Sequence, residues 1–117
     1  MNKNITEIQL SNLRLKTFTQ QDALDYCLLN NINIDNIKEL SLYDNELIDI
    51  SGIKIFKNIK VLRLHYNKPA TDISVLKDLN SLEELYLFYN GIKDISVIKD
   101  LKNLERLDIS NNQIIDI

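Results

Sequence analysis

"LSLYDN" at residues 40 to 45, "LRLHYN" at 62 to 67, "LYLFYN" at 85 to 90 and "LDISNN" at 107 to 112 are four copies of one pattern, L-x-L-x-x-N, with Ile for the second Leu in the last. The closing residues Asn45, Asn67, Asn90 and Asn112 keep a period of about 22 residues, lengthened once between Asn67 and Asn90. A hydrophobic residue stands two positions after each asparagine except Asn67, and an Asp-Ile pair recurs at 49–50, 72–73, 94–95 and 116–117, followed by Ser in the first three. A recurring set of this length is the signature of a repeat architecture. Within each L-x-L the two apolar residues point to one face of a strand and the residue between them to the other. The aliphatic and aromatic residues of one unit (Leu40, Leu42, Leu47, Ile50, Ile53, Phe56 and Ile59) cannot hide their own apolar surface, so successive units must stack around a shared interior. A coiled coil would require a seven-residue apolar repeat instead.

Over residues 37–117 the sequence resembles the leucine-rich repeat family, and within it the short class of about 22 residues per turn. That class includes internalin-like proteins and regulatory subunits of protein phosphatase 1. The resemblance implies an α/β solenoid, with a parallel sheet on the concave side and short 3₁₀ or extended segments on the convex side. It also implies that Asn45, Asn67, Asn90 and Asn112 are the inward-turned asparagines of the family. A buried amide at that corner needs partners, and the free backbone groups of the turn can supply them. The pattern departs at "NKPATD" (67–72), where one residue is added and Pro69 intrudes. Such an addition reads as a loop on one face, with Ala70 as the nearest substitute for the missing aliphatic residue.

Residues 1–36 read as an N-terminal cap, and 37–117 as four turns of which the last is incomplete. In "TQQDALDYCLLNN" (19–31), Thr19 is an N-cap with Asp22 as its acidic partner. A helix over about 20–30 is expected, with Ala23, Leu24, Cys27 and Leu28 on one stripe against the first turns. Before it, "ITEIQLSNLRL" (5–15) reads as a hairpin or a degenerate repeat. At the other end Leu107, Ile109, Ile114 and Ile117 are expected near an open face, because a terminal turn exposes what an interior turn buries. Two explanations compete there: a fragment of a longer repeat protein, or self-association of two copies through the open edge.

With period two in each strand, the residues between the leucines form rows on the concave face. The rows are Glu39, Val61, Glu84 and Arg106; Ser41, Arg63, Tyr86 and Asp108; Tyr43, His65, Phe88 and Ser110; and Asp44, Tyr66, Tyr89 and Asn111. Tyr43, His65, Tyr66, Tyr86, Phe88 and Tyr89 therefore gather on three adjacent strands. Tyrosine suits the centre of a protein interface, Arg63 can form directed hydrogen bonds to a carboxylate or carbonyl, Glu39, Glu84 and Arg106 suit a polar rim, and Asp108 is a further partner-binding candidate. Aromatic ladders that only cover the sheet are the alternative. The resemblance favours a protein or peptide partner, since the family commonly binds partners on this face.

Other chemistry is thinly represented. Fourteen basic and 17 acidic residues give a formal charge of -3, with no basic block for nucleic acid. No stretch is apolar enough for a membrane span and "MNKNITEIQL" lacks the apolar core of a signal peptide, so a cytoplasmic protein is expected. The sequon Asn4-Ile5-Thr6 then has no meaning. The lone Cys27 reads as a packed helix residue and the lone His65 as an exposed interface residue. Their separation gives no metal site or Cys-His nucleophile. Asp49, Asp72, Asp94 and Asp116 recur at a bend, where hydrogen bonding to the following Ser is favoured over calcium binding. Gly91 stands alone, without a phosphate loop. The expected function is a non-enzymatic, cofactor-free interaction module; self-association or an accessory region of a larger protein is the alternative.

Overall fold

The L-x-L alternation builds one layer. In the computed structural model, which describes residues 4–67 and 72–115, the central residues of five short strands line up in parallel and in sequence order. They are β1 (Glu7–Gln9), β2 (Glu39–Ser41), β3 (Val61–Arg63), β4 (Glu84–Tyr86) and β5 (Arg106–Asp108). The register places Ile8, Leu40, Leu62, Leu85 and Leu107 in one row. Leu40, Leu42, Leu62, Leu64, Leu85 and Leu87 are all buried. The opposite layer is made by short 3₁₀ helices, η2 (Ser51–Ile55), η3 (Ser74–Asp78) and η4 (Ser96–Asp100), which pack in that order, while η1 (Ile34–Asn36) lies in the return segment ahead of β2. Ile53, Phe56 and Ile59 of the first full turn and Leu76, Leu79 and Leu82 of the next fill the space between. This is the α/β solenoid that the period requires.

At the corner after each strand the asparagine amides form a ladder. Asn67 Nδ2 donates to the carbonyl of Leu64 in its own turn and to that of Leu42 in the preceding one, at 2.9 and 3.0 Å. Its Oδ1 accepts from the Leu47 N–H of the preceding turn at 3.1 Å. Asn112 repeats the arrangement, donating to Leu87 and Ile109 and accepting from the N–H groups of Asn90 and Ile92. Asn45 serves Leu13 and Leu15 in the same way. Each amide thus satisfies backbone groups that the tight corner leaves without strand partners. A second set of ties runs on the far side of the turns, from Asn58 Nδ2 to Asp35 O and from Asn103 Nδ2 to Asn80 O. The carboxylates of Asp49, Asp72 and Asp94 accept the N–H of Ser51, Ser74 and Ser96, opening each 3₁₀ helix. That backbone hydrogen bond is the main reason the Asp49 and Asp94 carboxyls lie below the ordinary carboxylate range. Ala70, Pro69, Asp116 and Ile117 lie outside the described residues.

The N-terminal segment is a repeat rather than a hairpin. β1 pairs in parallel with β2, Glu7 opposite Glu39, and the same register still holds at the bridge between Thr17 and Asp49. The two units therefore run in step, with Leu13 where Asn45 stands. The extra length of the first is the helix α1 (Gln20–Leu29), which occupies the convex position of this unit and packs on η2. Its start is the capping box: Asp22 N–H donates to Thr19 Oγ1 and Thr19 N–H to the Asp22 carboxylate. That backbone bond to Thr19 is the leading cause of a lowered Asp22 pKa. The buried stripe differs from the expected one. Ala23 and Cys27 are buried and Tyr26 is half-buried, but Leu24 lies at the edge and Leu28, at 82% exposure, faces away. The helix is rotated because its contact is with one short 3₁₀ turn, which a narrow ridge of small side chains is enough to cover.

Gly52 makes that contact geometrically possible. A β-carbon there would lie 2.3 Å from the Thr19 carbonyl oxygen and 2.7 Å from that of Phe18. Its own N–H donates to Phe18 O at 2.7 Å. The equivalent positions in later turns are Val75 and Val97, where no helix must be received. Gly52→Ala is therefore expected to displace the start of α1 and to cost about 1–3 kcal/mol, the range of overpacked positions. Hydrogen exchange localised to residues 18–30 would show it. Asn67→Ala leaves two carbonyls and an N–H buried without their side-chain partner, so a loss of roughly 2–4 kcal/mol in urea unfolding is expected. Asn112→Ala, at a half-buried corner, should cost distinctly less.

Candidate functional site on the sheet face

The rows read from period two are the rows of the sheet: Glu39, Val61, Glu84 and Arg106 are in register, as are Ser41, Arg63, Tyr86 and Asp108. A spacing of about 4.8 Å between strands is also the spacing at which aromatic rings stack. Identical positions on successive strands therefore bring ring faces together. Tyr43 and His65 stack at 4.5 Å and 9°, and His65 and Phe88 at 4.3 Å and 11°. This column of three rings crosses β2, β3 and β4 just beyond their ends. Tyr66 and Tyr89 form a second, parallel pair at 5.0 Å and 8°. The two sets meet edge to face, His65 against Tyr66 and Phe88 against both tyrosines. Tyr86 approaches His65 edge-on at 6.4 Å. All six aromatic residues form one connected surface.

The polar residues around it are tied down to different degrees. Arg63 Nη1 donates to Glu39 Oε1 at 3.2 Å and to Ser41 Oγ at 3.1 Å. Ser41, expected to face solvent, is instead completely buried, because the arginine lies over it. Tyr86 donates its hydroxyl to Glu84 at 2.7 Å, and this bond is the first cause of its raised pKa. Arg106 and Asp108 stand one strand further on β5, Asp108 in register with Tyr86. Asp108 accepts from both the N–H and the hydroxyl of Ser110, with the hydroxyl bond the first cause of its lowered pKa.

His65 also departs from the expectation of an exposed residue. Between two flanking rings it is half-buried, and its Nδ1 is covered without a hydrogen-bond partner. Burial foremost, then the Arg63 charge, lowers its pKa, while Asp108 and Asp44 oppose this. The folded protein therefore holds fewer protons at this ring than the unfolded chain does. The stability it contributes is present above the unfolded value of about 6.5 and is lost as the pH falls through the lower, folded value. In urea unfolding the midpoint is expected to drop between about pH 7.5 and about pH 5.5, a window above the carboxylates. His65→Phe keeps the stack and should remove most of that drop.

The backbone of the last row is hinted at in the sequence only by Asp44 and Asn111, residue types that favour positive φ. Asp44, Tyr66, Tyr89 and Asn111 have left-handed φ of 57°, 59°, 57° and 55°, as does Asn12 at 59° in the N-terminal unit. The end of the sheet differs again: Leu107 is 39% exposed, Ile109 and Ile114 are half-buried, and Ile115, not among the residues expected there, is 82% exposed. Among the described residues, no group of His, Cys, Asp and Glu is arranged to hold a metal ion. Nor is any helix among them long and apolar enough to cross a membrane.

The fold agrees with what the chain is similar to. The model of the family described as leucine rich repeats (2 copies) matches residues 35–78 and 80–117. Among solved structures, an internalin (InlF) from Listeria monocytogenes str. 4b F2365 is similar with a TM-score of 0.78 and 28% identity. The match covers 98% of this chain and 31% of that one. An internalin C2 (InlC2) from the same organism is similar with a TM-score of 0.63 and 25% identity, over 96% of this chain and 54% of that one. The chain thus spans about a third and about half of these two internalins. No curated protein matches it. Repeats of this kind are non-catalytic scaffolds, and by the family match over most of its length this chain belongs to the leucine-rich repeat family.

Proposed function

We propose that this chain binds another protein through the sheet face centred on Tyr43, His65, Tyr66, Tyr86, Phe88 and Tyr89, with Arg63, Arg106 and Asp108 at its margin. The observation that carries this reading is the connected aromatic surface, of which Tyr66 and Tyr89 remain 48% and 38% exposed. The leucine-rich repeat fold serves in general as a scaffold for protein–protein interaction, which supports the same reading. So does rigidity. The rings are fixed by stacking and by strands, so little side-chain freedom is left to lose on association. Aromatic residues also dominate the energetics of protein interfaces.

A partner retained by the wild-type chain is expected to bind the Tyr86→Ala, Phe88→Ala double variant at least roughly tenfold more weakly, the scale of a central interface residue. The far-UV spectrum and solution mass should be unchanged. Lys77→Ala, on η3 and away from the sheet, should bind normally. Affinity retained by the double variant but lost with Lys77→Ala would place the interface on the convex side.

A second reading rests on the exposed apolar residues Leu107 and Ile115, through which two copies could cover one another. Light scattering over a concentration series separates the two. A constant mass near 13.6 kDa removes stable self-association.

A further inference from the structure

Residues Asn12, Asp44, Tyr66, Tyr89 and Asn111 share one backbone conformation at the same place in five successive units, with φ between 55° and 59°. Asparagine and aspartate tolerate that region, because their short side chains bond locally; a bulky residue does so only at a cost in strain. Three of the five positions follow this preference and two do not. Tyr66 and Tyr89 stack on each other yet stay 48% and 38% exposed, so burial recovers only part of the cost. Strain of this sort concentrates where a surface is used.

The stacking shows which surface that is. Tyr66 and Tyr89 cover one face of each other. The order of the row is Asp44, Tyr66, Tyr89, so the uncovered face of Tyr66 is on the side of Asp44, the position where a further ring would continue the stack. An open depression of about 290 Å³ beside this row is lined by Asp44, Asn45 and Glu46 together with Tyr66 and Tyr89. Its lining combines tyrosine with two acidic residues, Asp44 and Glu46. A guanidinium fits both: its plane stacks on a ring face and its N–H groups pair with a carboxylate. An anion would be repelled, and an apolar side chain would strip water from the carboxylates without replacing it. The chain's own arginines stand elsewhere. Arg63 is held by Glu39 and Ser41, Arg14 lines a separate depression with Leu10 and Tyr26, and Arg106 is on β5, at the other end of the row from Asp44. Lys16 approaches Glu46 only at 3.9 Å between two exposed side chains, too loosely to close the site.

We infer that the Tyr66 face, with Asp44 and Glu46, seats an arginine side chain of the partner protein. This rests on the sheet-face reading above and adds to it the chemistry of the partner.

The test is an NMR titration of the full chain with N-acetyl-arginine amide, set against N-acetyl-citrulline amide, which has the same shape without the charge. Saturable shifts of the Tyr66 and Tyr89 ring protons are expected with the arginine probe, with an affinity about fivefold above that for citrulline. Asp44→Asn, which suits the same φ, should weaken the arginine response by about threefold or more and leave the fold intact. Tyr66→Asn should abolish the response read at Tyr89 while the chain stays folded by far-UV spectrum, the relief of strain offsetting part of the lost ring contacts. Equal responses to the two probes, no saturable shift, or an Asp44→Asn variant that responds like the wild type would each overturn the arginine seat. The wider reading fails separately: a partner bound normally by the Tyr86→Ala, Phe88→Ala variant removes the sheet-face interface whatever the probe does.

Discussion

The buried asparagine amide at the corner of each turn is the constraint on which the rest of the structure depends. A chain that must reverse direction every few residues leaves backbone donors and acceptors that no strand neighbour can reach. In water this is harmless; inside a stack of turns each such group is destabilising. A side-chain amide offers two donors and an acceptor in one plane, which is the set needed to reach carbonyls of two turns and N–H groups of one. Leucine would fill the same volume and satisfy none of them. Because every amide of the ladder bonds to the turn before it, the ladder fixes not only the corner but the register between turns. The leucine rows inherit that register.

The sheet face follows from the same register. Once equivalent residues of successive turns are held one strand apart, any aromatic repeated at one position must stack on its predecessor. The column of Tyr43, His65 and Phe88 is therefore a consequence of backbone geometry as much as of attraction between rings. Its price is the imidazole in the middle: a titratable ring held between two others, with Nδ1 covered and no acceptor or donor beside it. A phenylalanine there would be simpler for stability alone. The surface as a whole is rigid, half-apolar and bordered by carboxylates, and its polar atoms are mostly engaged with one another, as Arg63 is with Glu39 and Ser41.

The repeat positions were legible in the sequence because each is set by a local rule. Alternation fixed which leucines are inside, the asparagine spacing fixed the corners, and the Asp-Ile-Ser motif marked the start of each 3₁₀ turn. The capping box at Thr19 and Asp22 was equally local. What was not legible depended on neighbours from other turns. Ser41 is buried because Arg63, on the next strand, reaches over it. Leu28 faces solvent because the surface under α1 is one short turn rather than a broad core. Gly52 matters because of the Thr19 carbonyl in the preceding unit, and nothing in "DISGIKI" distinguishes it from a turn glycine. The first unit escaped the period because its helix makes it longer than the others, while Leu13 removes its asparagine.

That missing asparagine has a physical sense. The ladder is directional: each amide bonds to the corner of the preceding turn as well as to its own. Asn45 accepts from Leu13 and Leu15 and donates to Leu10 O, so the corner of the first unit is already satisfied from the second. An amide at position 13 is therefore not needed to close the first corner. Leucine at that position costs the first corner nothing. The amide of Asn112 completes the corner of the turn before it, accepting from the N–H groups of Asn90 and Ile92, and bonds to Ile109 and Ser110 in its own. Directionality alone thus makes the two sides of any turn unequal: each corner is completed by the asparagine of the turn that follows it, as Asn45 does for Leu13 and Leu15 and Asn112 for Asn90 and Ile92.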